Sequence, residues 1–149
     1  MHLKKISLGM IIMMRRMEMT KFQLKTEHTT QMINITGEVK EAVITSGVKD
    51  GIVLVFTPHT TASITLFEKV DQNLRRDYLQ LLKTYVSDQE YSHKGGNAAG
   101  HLKSAMTGAS VSIPVIDGLP MFGEWQGIFF CEFDGPREAR DIIIKVING

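Results

Sequence analysis

The chain has little cysteine, little net charge and no long apolar run. Cys131 is its one cysteine among 149 residues. No internal disulfide is therefore available, and a reducing, cytoplasmic setting fits. Seventeen basic residues stand against 16 acidic ones, for a net charge of +1. That balance excludes the strong positive footprint of a nucleic-acid binder. The apolar run from Ile6 to Met14 is too short to span a bilayer, which takes about 20 residues. Neither nucleic acid nor membrane is expected as a partner. After residue 19 the chain shows no internal repeat, low-complexity tract or long linker.

What is present suits one globular domain, with 43% hydrophobic and 22% charged residues. Residues 1–18 stand apart. Lys4, Lys5, Arg15 and Arg16 against Glu18 leave +3 there and −2 in the remainder. Basic residues ahead of an apolar stretch are the pattern of a secretion signal. Here, however, Arg15-Arg16 follow the stretch, and no small-x-small cleavage site appears. We expect a basic, Met-rich extension over 1–18 and a domain over 19–149.

KFQLKTE and QMINIT read as strands by alternation. Thr36 offers a helix N-cap, Val39, Val43 and Ile44 recur at helical spacing, and Gly47 suits the C′ position. GIVLVFT, residues 51–57, is a continuous β-branched run and reads as a central strand, interrupted by Pro58. TASITLFE, residues 61–68, alternates. Asp71 caps a helix over 72–86 whose apolar side carries Leu74, Tyr78, Leu81, Leu82 and Tyr85. A short helix over 98–107 ends at Gly108. ASVSIPVI, an Asp117-Gly118 hairpin, WQGIFFCEF and DIIIKVI, residues 141–147, complete a β-rich final third. The expectation is an α+β fold, a single compact domain with a mixed or antiparallel sheet core and two to three helices.

Three places could carry chemistry. His59 sits at the bend after Pro58, beside the hydroxyls of Thr60, Thr61 and Ser63; the competing reading is an imidazole that satisfies loop backbone. YSHKGGNAAGHLKSAMTG places His93 and His101 on either side of Gly95 and Gly96, with Asn97 as helix N-cap. A helix starting there offers free N–H groups and a dipole that favours an anion. The two histidines would hold a metal as neutral imidazoles or a phosphate as imidazolium. The spacing matches no short metal motif, and a solvated loop with a capped helix competes evenly. In WQGIFFCEF, alternation puts Glu132 on one face with Gln126, Ile128 and Phe130. A buried carboxylate needs a histidine, an arginine or a metal, with Arg137 or Arg140 available for a salt bridge. Cys131 reads as a small core residue. Glu68 could act as a base or ligand.

Read together, HTTASITLFE, YSHKGGNAAGHLKSAMTGASVSIPV and GEWQGIFFCEFDGPR resemble the YjbQ-like family of uncharacterised proteins, also called the secondary thiamine-phosphate synthase family. The resemblance runs from about residue 20 to 149 and includes SGVKDGIVLVF. It implies a compact α+β protein, a homotrimer, and a site near subunit boundaries. It singles out His59, Thr60, Thr61, Glu68, His93, Asn97, His101, Ser104, Trp125, Gln126 and Glu132. Phe67 departs from a common asparagine, and Ala99-Gly100 from a frequent Asp-Ala pair. The family name implies joining a pyrimidine diphosphate to a thiazole phosphate with release of pyrophosphate. Lys94, Lys103 and Arg137 are the only cations near enough in the pattern to help.

The combined expectation is a small homotrimeric enzyme acting on a phosphorylated small molecule. His59, His93 and His101 hold a divalent metal (zinc or magnesium) or the substrate phosphate, and no organic cofactor is expected. Gly95, Gly96, Asn97, Ser104, Thr60 and Thr61 bind substrate or anion. Glu132 or Glu68 handles a proton or supports a histidine, and Gln126 orients a polar group. A metal-assisted phosphate-ester hydrolase and a non-catalytic binding module for a phosphorylated metabolite stay open beside it.

Overall fold

The computed structural model describes residues 19–149; the expected extension over 1–18 lies outside them. In chain order the elements are β1 (Met19–Thr26), β2 (Gln31–Asn34), α1 (Thr36–Ser46), β3 (Asp50–Phe56), β4 (Ala62–Glu68), α2 (Gln72–Tyr85), α3 (Ala98–Thr107), β5 (Ser110–Ile116), β6 (Leu119–Pro120), β7 (Gln126–Glu132) and β8 (Arg137–Asn148). They build a five-stranded sheet, β1-β8-β3-β5-β6, and a three-stranded sheet, β2-β7-β4. Every strand pair among the described residues is antiparallel. The α+β expectation holds, with three helices among the described residues.

Alternation explains the core. β3 turns Val53 and Val55 inward, β5 Ile113 and Val115, and β8 Ile142, Ile144 and Val146; all are buried. They meet Ile64 of β4, Ile128 and Phe130 of β7, and Val39 and Val43 of α1 in one apolar cluster. β7 is buried on both faces after Gln126. Its second face, Cys131 with the following Phe133, packs on Leu82 of α2. Burial pushes the Cys131 thiol up to about 12, so it serves as core and not as a nucleophile.

Local signals met their elements with two differences. Gly47 caps α1 in the left-handed region at φ 71°, and Asp71 Oδ1 accepts from the Asn73 amide at the start of α2. Asp117 and Gly118, at φ 51° and 77°, form the β5–β6 hairpin turn. Thr36, expected as a cap, is instead the first residue of α1. Its hydroxyl accepts from the Ile128 amide at 3.0 Å, tying the helix to β7. The apolar side of α2 is also less buried than its spacing suggests: Leu81 is 52% and Tyr85 74% exposed, and only Leu82 is enclosed. Helical periodicity finds an apolar stripe, but what covers it depends on neighbours. Among the described residues no helix is long and apolar enough to cross a membrane.

One polar pair joins the sheets. Glu132, 0% exposed at the end of β7, meets Arg140, 4% exposed, in β8. The guanidinium binds in a fork. Its Nε donates to Oε2 at 2.8 Å, and one Nη donates both to Oε1 and to Thr61 Oγ1. Thr26 Oγ1 and the amides of Phe133 and Asp134 donate to the same carboxylate. Removing one partner of such a pair strands a charge in the interior. Arg140→Met is expected to lower folding stability by about 3–5 kcal/mol, read as a shift in the urea midpoint. Arg140→Met/Glu132→Met is expected to regain part of the loss, and an unshifted single variant would contradict the assignment.

Candidate functional site

The site forms where β3 runs out. β3 pairs with β8 as far as Phe56 opposite Ile143. Pro58 has no N–H to continue the ladder, so side chains continue it. Thr57 Oγ1 donates to the Asp141 carbonyl at 3.0 Å, and the Asp141 amide donates to His59 Nε2 at 2.8 Å. Asp141 is thus held at both its backbone groups by residues flanking the proline. Because Nε2 accepts, the neutral ring carries its proton on Nδ1. Burial, followed by the positive charge of Arg140, holds His59 below its ordinary value of 6.5.

His59 faces a cavity of about 510 Å³ that it shares with Thr60, His101, Ser104 and Ala109. His101 and Ser104 come from α3, which is anchored on β4. Ser104 Oγ donates to the Ala62 carbonyl at 2.6 Å, and Ser63 Oγ to the Ser104 carbonyl at 3.1 Å. A Cβ on Gly100 would stand 2.9 Å from the Phe133 carbonyl oxygen, so glycine lets α3 approach the β7–β8 turn this closely.

The opposite side of His101 meets His93, with ring centroids 5.3 Å apart and planes at 82°. The tautomer of His93 follows from a chain of contacts. Asn97 Nδ2 donates to Asp134 Oδ2 at 2.9 Å, which leaves Oδ1 facing His93 Nε2 at 3.1 Å. Oδ1 only accepts, so Nε2 carries the proton and Nδ1 keeps its lone pair. Gly95 leaves room for the His93 ring in this position, since a Cβ there would stand 2.7 Å from His93 Nε2. Gly96 takes φ 76°. Asn97 occupies the N-cap of α3, but its side chain does not cap. The amides of Ala98 and Ala99, which have no intrahelical acceptor, are therefore left without that cap.

The three histidines form a row and not a cage: His59 and His101 share a cavity, and His93 stacks edge-on behind His101. Among the described residues no group of three or more His, Cys, Asp or Glu side chains could hold a metal ion. The donor set of one chain therefore does not fit a three-histidine metal centre as it stands.

Other expected residues divide. Thr60 and Ser104 line the cavity. Thr61 is buried and accepts from Arg140. Glu132 has the arginine partner its position called for. Burial pushes its carboxyl up, but hydrogen bonds from Arg140, the Asp134 amide and Thr26 outweigh that and hold it below the usual range. Five donors saturate the carboxylate, so it serves as a frame for the site and is poorly placed to take a proton. Glu68 and Gln126 stand apart from the histidines within one chain. They face each other across β4 and β7, whereas Glu132 pairs with Ala62 at the other end, roughly 20 Å along the strand. Glu68 accepts from the amides of Val70 and Asp71, and Gln126 from Gly123. Within one chain both are turn residues remote from the histidines. Asp141 was missed, because a backbone amide acting on a histidine leaves no residue-type signature. Asp134 was read only as part of a turn.

The fold and this histidine-lined cavity define the class: a single-domain α+β protein of two antiparallel sheets with an open cavity beside α3. The chain belongs to the UPF0047 protein YjbQ-like family, whose model matches residues 20–149. It is 41% identical over 129 residues to UPF0047 protein MJ1081 of Methanocaldococcus jannaschii, covering 86% of this chain and 93% of that one. It is 42% identical over 128 residues to UPF0047 protein YugU of Bacillus subtilis, covering 85% and 96%. Among solved structures it is similar to an uncharacterised conserved YjbQ/UPF0047 family protein of Clostridium acetobutylicum, with TM-score 0.84, 43% identity, and 86% and 99% coverage. It is also similar to a YbjQ-like protein of unknown function from Sulfolobus solfataricus, with TM-score 0.85, 31% identity, and 88% and 96% coverage.

The lowered value of His59 sets a direction in pH. The unfolded chain takes up the proton near 6.5, while the folded protein resists it until lower pH. The contribution of His59 is therefore complete above about 6.5 and is lost as pH falls toward the folded value. Urea midpoints measured from about pH 7.5 down to 5 are expected to fall more steeply for the wild type than for His59→Gln. Gln can still accept from the Asp141 amide; equal slopes would contradict the assignment.

Proposed function

We propose that the histidine-lined cavity binds and acts on a phosphorylated small molecule. The observation that carries this reading is that His59 and His101 face one cavity of about 510 Å³, His59 with its tautomer set by the Asp141 amide. Near neutral pH His59 offers Nδ1–H to an oxyanion, beside the Thr60 hydroxyl. His101, in contact with His93, is the group that moves a proton. Both rings belong to the residue type most used for that purpose near pH 7.

By resemblance the reaction is the thiamine-phosphate synthase type. A thiazole nitrogen forms a C–N bond to the pyrimidine methylene, the C–O bond to the diphosphate breaks, and pyrophosphate leaves with the electron pair. Pyrophosphate departure calls for positive charge. Arg137 is already engaged by Asp134 at 2.8 Å, which suits a slow, secondary activity. A metal-assisted phosphate-ester hydrolase is the second enzyme reading, and a binding module for a phosphorylated metabolite is the third. The metal form, with zinc or magnesium, needs donors beyond one chain. Stoichiometric metal in purified protein that is lost in His101→Ala would support it, and equal, negligible metal in both would remove it.

A homotrimer belongs to the same reading. It is supported by exposed apolar side chains among the described residues: Leu81 and Tyr85 on α2, and Ile52, Ile116 and Ile147 on the outer side of the larger sheet. Patches of this kind mark association surfaces. Sedimentation equilibrium is expected to return three times the chain mass of 16.7 kDa; a monomer would contradict the assembly.

For the chemistry, His59→Ala and His101→Ala are each expected to lower kcat/KM by about 10²-fold or more, with circular dichroism unchanged. Pyrophosphate release from the pyrimidine diphosphate and thiazole phosphate pair supports the transferase. Release of inorganic phosphate from a monoester panel favours the hydrolase. Calorimetric binding without turnover favours the module.

A further inference from the structure

Lys103 sits midway along α3 and is only 6% exposed. The ion pairs among the described residues do not include it. Every fully buried side-chain nitrogen or oxygen among those residues has a hydrogen-bond partner. The unpaired ammonium is therefore not sealed in: the stem is buried and the tip reaches open space. That space is a cavity of about 350 Å³ whose lining includes Thr29, Thr30, Lys83, Asn97 and Asp134 as well as Lys103. Helical side chains lean toward the N-terminus of their helix, so Lys103 runs back over Ala99 and Gly100 toward the start of α3.

A cation held at the positive end of a helix has the wrong sign for the dipole, and an anion would satisfy both. The first amides of α3 have no side-chain cap, because Asn97 is turned to His93 and Asp134. Asp134 does not neutralise Lys103; its Oδ2 is taken by Arg137 and Asn97. Asp88, also on the lining, is exposed and forms no ion pair with either lysine. The cavity lies on a different side of α3 from the one lined by His101, Ser104 and Ala105.

We infer that this cavity is a second, oxyanion-binding site that takes a phosphate group between Lys103, Lys83 and the amide of Ala99. The group is inorganic phosphate or the monoester of a small metabolite. The site goes beyond the reaction assigned to the histidines and does not rest on it.

The test is titration of the full chain with inorganic phosphate, against chloride at equal ionic strength. The amide resonance of Ala99 is expected to shift saturably, and the thermal midpoint to rise as for any ligand that binds only the folded state. Lys103→Met should abolish the amide shift, and Lys83→Met should weaken binding about tenfold, the loss of one charge-assisted contact. His101→Ala should leave both effects intact, so the histidine reading and this one fail separately. A wild-type Ala99 amide that does not move, or Lys103→Met binding phosphate as the wild type does, would overturn the site. Should Lys103→Met not fold, the wild-type amide shift and Lys83→Met decide it. Glycerol 3-phosphate binding tighter than phosphate at the same amide assigns a monoester, and weaker binding assigns the free anion.

Discussion

The interior ion pair between Glu132 and Arg140 is the constraint on which the rest depends. It crosses from the end of β7 to β8 and so from one sheet to the other. Thr26 and Thr61 complete it from β1 and from the turn before β4. A charge pair this enclosed does not add much stability over an apolar core. What it fixes is relative placement: Thr26 of β1 and Arg140 of β8 both reach the one carboxylate at the end of β7. The same placement sets Asp141 beside Arg140, and Asp141 sets the tautomer of His59. Packing in the core is in this way transmitted to a nitrogen on the surface of a cavity.

Helix α3 is the second organising element. It is drawn close to the β7–β8 turn by Gly100 and to β4 by Ser104. One side contributes His101 to the larger cavity, and another aims Lys103 into the smaller one. His93, Asn97, Asp134 and Arg137 form a hydrogen-bonded chain across its N-terminus. Family membership accounts for the architecture; it does not by itself supply a reaction, since function resides in sites carried on folds.

Much of the architecture was legible. Period-two alternation located β4 and β5, a continuous β-branched run located β3, and the two faces read from WQGIFFCEF correspond to two separate apolar clusters. Gly47, Asp71 and the Asp117-Gly118 turn announced themselves by local chemistry. The need of Glu132 for a partner was legible too, because an unpaired interior carboxylate is too costly to keep. Thr36 was misread because its hydroxyl found a longer-range acceptor role at Ile128. The face of α2 was overread because periodicity reports an apolar stripe, not what lies against it. Glu68 and Gln126 were grouped with the histidines by motif, and the β4–β7 register separates them.

By itself the amino-acid order determined the kinds of element, the pattern of inward side chains and the presence of a Gly-rich turn around Gly95 to Asn97. These are properties of neighbours in the chain, set by periodicity, capping and backbone freedom. Tertiary structure alone decided that His59 and His101 line one cavity, that Arg140 and not Arg137 holds Glu132, and that the stem of Lys103 is buried with no ion-pair partner among the described residues. Those facts depend on strand order, register and the approach of α3 to the sheets. They are distances between residues far apart in sequence, and no local pattern encodes them.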